Sequence, residues 1–230
     1  MGNPGDIQAV TFDVGGTLIE PWPSVGHVYA EVAARHGAGQ LDVDLLNRRF
    51  ATAWKARPGF DHAVEDWSAI VDETFAGLIA DIPSRTFFPD LYERFAQADA
   101  WRIYDDVLPT LTTLAKCGVR LGVISNWDDR LRPLLSSLGL ANRFETIIVS
   151  VEIGASKPSP VPFESAVKAF DLPANVILHV GDSPDMDVTG ARAAGLHAIQ
   201  IVRDNRVLGA DQFKSLRELL ALGFAEKSGR

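Results

Sequence analysis

The chain changes its hydrophobic rhythm twice. Gln8 to Asp13 (Gln-Ala-Val-Thr-Phe-Asp) is a short β-rich apolar run with no helical stripe, which predicts a buried strand that stops at a carboxylate. Pro21 and Pro23 then break the chain. Apolar positions next recur at helical spacing. Ser24 has the chemistry of an N-cap, and Val25, Val28, Tyr29 and Val32 follow it up to His36-Gly37. Leu45, Leu46, Phe50, Ala53 and Trp54 mark a second helix that ends before Pro58-Gly59. Val64, Trp67, Ile70, Val71, Phe75 and Leu78 mark a third, and Leu91, Tyr92 and Phe95 a fourth. No strand pattern interrupts this block from Ser24 to Ala100.

After Trp101 the two periods alternate. Helices are predicted over Val107–Lys116 (stopped by Gly118), Asp129–Leu138 (with Gly139 as C′), Pro160–Phe170, Asp185–Ala194 (closed by Gly195) and Gln212–Leu222. Strands are predicted over Arg120–Ser125, Thr146–Ser150, Val176–Val180 and His197–Val202. Such alternation gives a parallel sheet covered on both faces. The helical block is inserted after the first strand of this α/β pattern.

Composition narrows the function classes. The 230 residues are 47% hydrophobic and 23% charged, enough for a sizeable core and unlike a disordered chain. The formal net charge of −8 argues against a nucleic-acid surface, though not against a small anionic substrate. Cys117 is the one cysteine, which excludes an intrachain disulfide and fits a reducing, cytoplasmic location. No apolar stretch reaches the ~18 residues of a membrane span. The sequence shows neither a Cys/His metal set nor a Ser/His/Asp signature.

Four polar clusters fall at predicted strand ends: Asp13; Ser125-Asn126; Lys157, after the Thr146–Ser150 strand; and Asp182 with Asp187. Open parallel sheets bind ligands at those ends. Two carboxylates converging there repel unless a cation stands between them, which points to a divalent metal and to an anion such as phosphate. Together the clusters predict a phosphoryl-transfer site. A carboxylate attacks, a hydroxyl and a lysine neutralise phosphoryl oxygens, and further carboxylates hold Mg²⁺.

In order and spacing these clusters resemble the motifs of the haloacid dehalogenase (HAD) superfamily of aspartate-nucleophile hydrolases. Asp13-Val14-Gly15-Gly16-Thr17-Leu18 matches the first motif, Ile124-Ser125-Asn126 the second and Lys157-Pro158 the third. Gly181-Asp182-Ser183 with Asp187 and Gly190-Ala191 matches the fourth. Ser125-Asn126-Trp127-Asp128, Ser156-Lys157-Pro158 and His179-Val180-Gly181-Asp182-Ser183 are most similar to the REG-2-like (HDHD3-like) branch. The resemblance implies an α/β fold, a Rossmannoid parallel sheet with helices on both faces and an inserted all-helical type-one cap. It implies a core over 1–20 and 101–230 and a cap over 21–100. Asp13 would be the nucleophile, and Asp13, the Gly15 carbonyl, Asp182 and Asp187 would hold Mg²⁺, Asp187 from behind the direct ligands or through water. Gly16, Ser125, the Asn126 backbone and Lys157 would bind the phosphoryl group of a small phosphorylated metabolite, with Thr17 orienting the loop.

The departure is Gly15. Most phosphatases of the superfamily carry an aspartate there, which protonates the leaving group and then activates water. Losing a general acid removes about 10²–10⁴ of rate. A slow phosphatase is therefore expected. A C–P or C–halogen hydrolase that needs no such acid, and a catalytically weakened phosphate-binding protein, stay open as alternatives. Asp13 to Thr17 also resembles the phosphate turn of actin-like sugar kinases, but there it opens a β-hairpin, and here Pro21, Pro23 and a helix follow. Lys55 (a Schiff-base candidate) and His27, His36 and His62 (candidate acids) read most simply as surface or half-buried side chains, Asp185 as a first-turn residue, and His179 as buried structure. Trp54, Trp67, Phe75, Phe87 and Phe88 read as cap core.

Overall fold

A computed structural model describes residues 6–57, 63–204 and 207–224. Strand β1 (Ala9–Phe12) is buried along its whole length, as expected for the centre of a sheet covered on both faces. The chain then makes a tight turn in which the Val14 carbonyl accepts from the Leu18 and Ile19 amides and Gly16 donates to the Ile19 carbonyl. Strand β2 (Ile19–Pro21) leaves this turn and pairs with β3 (Trp101–Ile103). Neither strand of this ribbon has an apolar alternation long enough to read in sequence, and Pro21 argued for a plain break. Proline is tolerated there because a two-stranded ribbon is all edge.

Between the two ribbon strands the chain is helical: α1 (Val25–Arg35), α2 (Val43–Lys55), α3 (Val64–Phe75) and α4 (Phe88–Arg94). Ser24 caps α1 as its chemistry predicted, accepting from the His27 amide, and Asp42 caps α2. Glu20–Arg102 form one compact unit. Its centre is aromatic: Tyr29 stacks on Phe75 at 5.6 Å and meets Phe50 and Phe95 edge-on. Phe75, Phe87 and Phe88 are buried as expected and Trp67 packs against them. Trp54 does not join them: it is 38% exposed and stacks on Phe50 and Trp67 from the outside. Leu78 lies past the end of α3, and Pro58-Gly59 and His62 lie outside the described residues.

Met1–Ile19 and Ile103–Arg230 form the second unit. Past α5 (Val107–Lys116) it alternates β4 (Arg120–Ser125), α6 (Leu131–Ser137), β5 (Thr146–Val149), a single turn α7 (Ser150–Ile153), α8 (Pro160–Phe170), β6 (Ile177–Gly181), α9 (Gly190–Ala193), β7 (His197–Ile201) and β8 (Gln212–Phe213). The six-stranded sheet runs β5-β4-β1-β6-β7-β8, with every neighbouring pair parallel. From β1 the chain builds outward through β4 and β5, then crosses to β6 on the other side of β1. That reversal is a topological switch point, where open α/β sheets leave a crevice at the strand C-termini.

Two predicted helices differ. Gln212–Leu222 is not one helix: Gln212–Phe213 is strand β8, because the Gln200 and Val202 amides of the β7 region donate to Asp211 and Phe213. Helix begins only behind Ser215, which forms a capping box with Glu218, and its Leu216–Leu222 turns are 3₁₀. Asp185–Ala194 splits into a π-helical stretch, Pro184–Thr189, and α9. π turns collect at functional sites, and this one carries Asp187. No helix among the described residues is long and apolar enough to cross a membrane.

Candidate active site

The site grows out of the ends of β1, β4 and β6. Asp13 is the first residue past β1, and its amide donates to Val180 of β6. Ser125 is the last residue of β4, and Asp182 the first past β6. Lys157 arrives from the connection between α7 and α8. Asp13 is 8% exposed, Lys157 3% and Asp187 1%.

Lys157 organises the cluster. Its Nζ donates to Oδ1 of Asp13 at 2.7 Å, to Oδ1 of Asp187 at 2.5 Å and to the Ile124 carbonyl at 3.0 Å. An ammonium has three N–H donors, and all are engaged. Ser125 Oγ donates to the same Asp13 Oδ1 at 3.0 Å, so both bonds fall on one oxygen and leave Oδ2 to act. Asn126 fixes the backbone of Lys157 from both sides, its Oδ1 accepting from the Lys157 amide at 2.7 Å and its Nδ2 donating to the Lys157 carbonyl at 2.9 Å. The side chain of Asn126 is thus a strut for Lys157 and not a free phosphate ligand.

A second layer was read in sequence only as buried structure. His179 is fully buried in β6, its Nε2 3.1 Å from Asp187 Oδ1 and its Nδ1 2.9 Å from Thr11 Oγ1. Burial pushes His179 below its usual range, so the ring is neutral. A carboxylate accepts only, which assigns the proton to Nε2 and leaves Nδ1 to accept from Thr11. The other oxygen of Asp187 accepts from the Ser183 amide at 2.9 Å. The signal for this chain is visible in hindsight: Thr11 and His179 are the polar residues of two buried strands, and they are register partners.

The carboxylates do not share one fate. Burial raises Asp13, and the nearby Asp187 adds to this while Lys157 opposes it. Asp187 stays well below the usual carboxylate range, since Lys157 and His179 outweigh its burial. Burial pushes Lys157 down, but Asp13 and Asp187 more than restore it. Desolvation, then Asp13 and Asp187, push Asp182 up to about 7. Its side chain is the solvent-facing one of the three, so water offsets part of that push.

Asp13, Asp182 and Asp187 each place an oxygen within 4.8 Å of the others. Among the described residues, three carboxylates face one lysine and a neutral histidine, an excess of two formal negative charges. Hard oxygen donors and a charge deficit of two are what a small divalent cation such as Mg²⁺ requires. Two glycines let the carboxylates approach. Gly16 has φ 72°, and a β-carbon there would lie 2.6 Å from Asp182 Oδ2; one on Gly181 would lie 2.1 Å from Asp187 Cγ.

The remaining candidates sit around this cluster. Gly15 bridges to Ile19 across the turn. Thr17 is fully buried, and its Oγ1 has no hydrogen-bond partner. Its carbonyl accepts from Arg203 at 2.6 Å. Arg203 also pairs with Asp106 at 2.6 Å and stacks over Tyr104, a clasp on the Asp13 loop that no sequence pattern signalled. Lys55, His27 and His36 are exposed; His27 bonds the Ser24 hydroxyl and His36 pairs with Asp90. Asp185 lies in the first turn behind the Ser183 cap.

This constellation on this sheet defines a class. Residues 7–195 match the haloacid dehalogenase-like hydrolase family, and the chain belongs to it; it is a hydrolase. It is 31% identical over 213 residues to haloacid dehalogenase-like hydrolase domain-containing protein 3 of Homo sapiens, covering 88% of this chain and 84% of that one. It is 30% identical over 223 residues to a phosphoglycolate phosphatase of Chromobacterium violaceum, covering 94% and 96%. Among solved structures, a 2-haloacid dehalogenase from Pseudomonas syringae pv. Tomato DC3000 superposes with a TM-score of 0.63 at 27% identity, over 94% of this chain and 98% of that one.

Proposed function

We propose that the chain is a phosphatase of small phosphorylated metabolites, with Asp13 as nucleophile and Mg²⁺ as cofactor. The observation that carries this reading is the Asp13 carboxylate, buried, with Lys157 and Ser125 both on Oδ1 and Oδ2 left to attack. Oδ2 bonds to phosphorus as the P–O bond to the leaving group breaks, and its electron pair departs with the leaving oxygen. Water then hydrolyses the aspartyl phosphate, releasing inorganic phosphate and restoring Asp13. Lys157 contributes charge and position, because a phosphoryl oxygen could accept from it only by displacing a present partner. Asp13, Asp182 and the Gly15 carbonyl would hold Mg²⁺, with Asp187 beside them. The bound ion supplies positive charge for the carboxylates and phosphoryl oxygens. Residues 21–100 fit this reading as a substrate-selecting cap, and the similarity to a phosphoglycolate phosphatase supports the substrate class.

Gly15 and the likeness to a 2-haloacid dehalogenase favour a second reading, since a halide leaves without a proton. Against it stands the carboxylate trio, which a carbon–halogen displacement does not need. Incubation with Mg²⁺ and panels of phosphate esters and 2-haloacids separates the two. The phosphatase reading expects phosphate release that is lost with EDTA and in Asp13→Asn; halide release without metal would overturn it.

A further inference from the structure

The turn that follows Asp13 is held from two sides. Within it, the Val14 carbonyl accepts from the Thr17, Leu18 and Ile19 amides at 3.3, 2.8 and 3.1 Å. Its next two carbonyls are taken by residues far along the chain. The Leu18 carbonyl accepts from the Tyr104 amide at 3.1 Å, and the Thr17 carbonyl accepts from Nη2 of Arg203 at 2.6 Å. Arg203 lies just past β7. Its Nη1 donates to Asp106 Oδ2 at 2.6 Å, and its guanidinium lies 4.0 Å over the Tyr104 ring. The same Oδ2 accepts from the Ser215 hydroxyl at 2.9 Å and the Leu216 amide at 2.7 Å, so the carboxylate is itself fixed. Arg203 is thus held by a carboxylate and a ring, with one arm on the backbone of the nucleophile turn. A guanidinium suits this place, because its planar fork is rigid and always charged.

We propose that Arg203 is a positioning residue that fixes, through the Thr17 carbonyl, the turn presenting Asp13 to the phosphoryl group. Its part in turnover rests on the phosphatase reading above. Arg203 touches none of the reacting atoms and acts through the turn. Lys157 and Ser125 tie the Asp13 side chain, but the backbone behind it runs through Gly15 and Gly16. Glycine loses more backbone freedom on ordering than any other residue, so this stretch needs an external hold. A shift of about 1 Å at a reacting group can cost ~10²-fold in rate.

The fold contains a matched control. Arg120 opens β4, at the opposite end of that strand from Ser125. It pairs with Glu145, donates to the Phe170 carbonyl and lies 5.1 Å over the Phe170 ring. Losing Arg120 removes the same kinds of contact without touching the nucleophile turn.

The experiment compares wild type, Arg203→Met, Arg203→Lys and Arg120→Met, each shown by circular dichroism to be folded, with phenyl phosphate and Mg²⁺. Arg203→Met is expected to lower kcat about tenfold with KM within about twofold of wild type. Arg203→Lys should recover part of that loss, and Arg120→Met should stay within about twofold throughout. In hydrogen exchange without substrate, the Leu18 and Ile19 amides should exchange about tenfold faster in Arg203→Met and unchanged in Arg120→Met. Equal kcat in Arg203→Met and Arg120→Met, or unchanged exchange at Leu18 and Ile19, would overturn the proposal. Where Arg203→Met does not fold, Arg203→Lys is read against Arg120→Met by the same two criteria. If wild type shows no Asp13-dependent phosphate release, the phosphatase reading falls and exchange alone decides whether Arg203 holds the turn.

Discussion

Lys157 is bonded to Asp13 through the same oxygen that Ser125 holds, while its ammonium also reaches Asp187. One buried cation therefore fixes the nucleophile and offsets a second carboxylate. Lys157→Met should leave both acids buried and unpaired, at about 3–5 kcal/mol of stability, and should reduce turnover by ~10²-fold or more. The stability deficit should shrink at pH 5, where the abandoned carboxylates take up protons. Urea denaturation at pH 7.5 and pH 5 reads both effects. A variant within about 1 kcal/mol of wild type at pH 7.5 would mean that the pair is not what holds the site together.

The raised Asp182 makes metal and proton competitors. Its folded value of about 7 lies above the ordinary ~3.9, so between those values the folded state binds more protons than the unfolded one. Stability without metal should therefore fall as pH rises from 5 to 8. Saturating Mg²⁺ should flatten that slope, and Mg²⁺ affinity should rise over the same window. The check is a set of denaturation midpoints in EDTA and in Mg²⁺ at four pH values; parallel slopes would count against a cation at Asp182. The depressed groups, Asp187 and Asp106, act oppositely: their stability is present above about pH 4 and lost in acid.

Gly15→Asp should supply the missing acid. Turnover of alkyl phosphates should rise about tenfold, a fraction of the ~10²–10⁴ of a well-placed acid, because its Cβ meets Trp127 at 3.3 Å and the ring must give way. Adding Trp127→Ala should raise alkyl turnover further by freeing the carboxylate to turn. Steady-state kinetics on alkyl phosphates decides it. A folded, Mg²⁺-binding variant with no gain on any ester would show that the acid is not limiting.

What the sequence made legible follows from how local each signal is. Strands β1, β4, β6 and β7 were readable as short apolar runs, and Asp13, Ser125 and Asp182 stood at or near their ends because that is where apolar runs stop. Helices α5 and α8 had clean boundaries in Gly118 and Pro160. Strand β8 was not readable, since two residues pair only because β7 lies beside them. The same holds for the second layer. Thr11 and Arg203 act through partners far along the chain, Thr11 on His179 and Arg203 on Thr17 and Asp106, and no window of sequence contains both members of any of these pairs. Asn126 shows the converse: it is legible as a residue at a strand end, but only coordinates reveal that its side chain is committed to the Lys157 backbone.

The central claim is that Asp13 becomes covalently phosphorylated. With no acid-base at position 15 to activate water, hydrolysis of the aspartyl phosphate should be slow, so an aryl phosphate should give a burst of phenol followed by a slower steady rate. Rapid acid quench during that phase, followed by peptide mass spectrometry, tests it most directly. The account predicts one phosphoryl group on the peptide containing Asp13, sensitive to hydroxylamine and absent in Asp13→Asn. Turnover in Asp13→Asn equal to wild type, or a phosphoryl group found only on another residue, would contradict it.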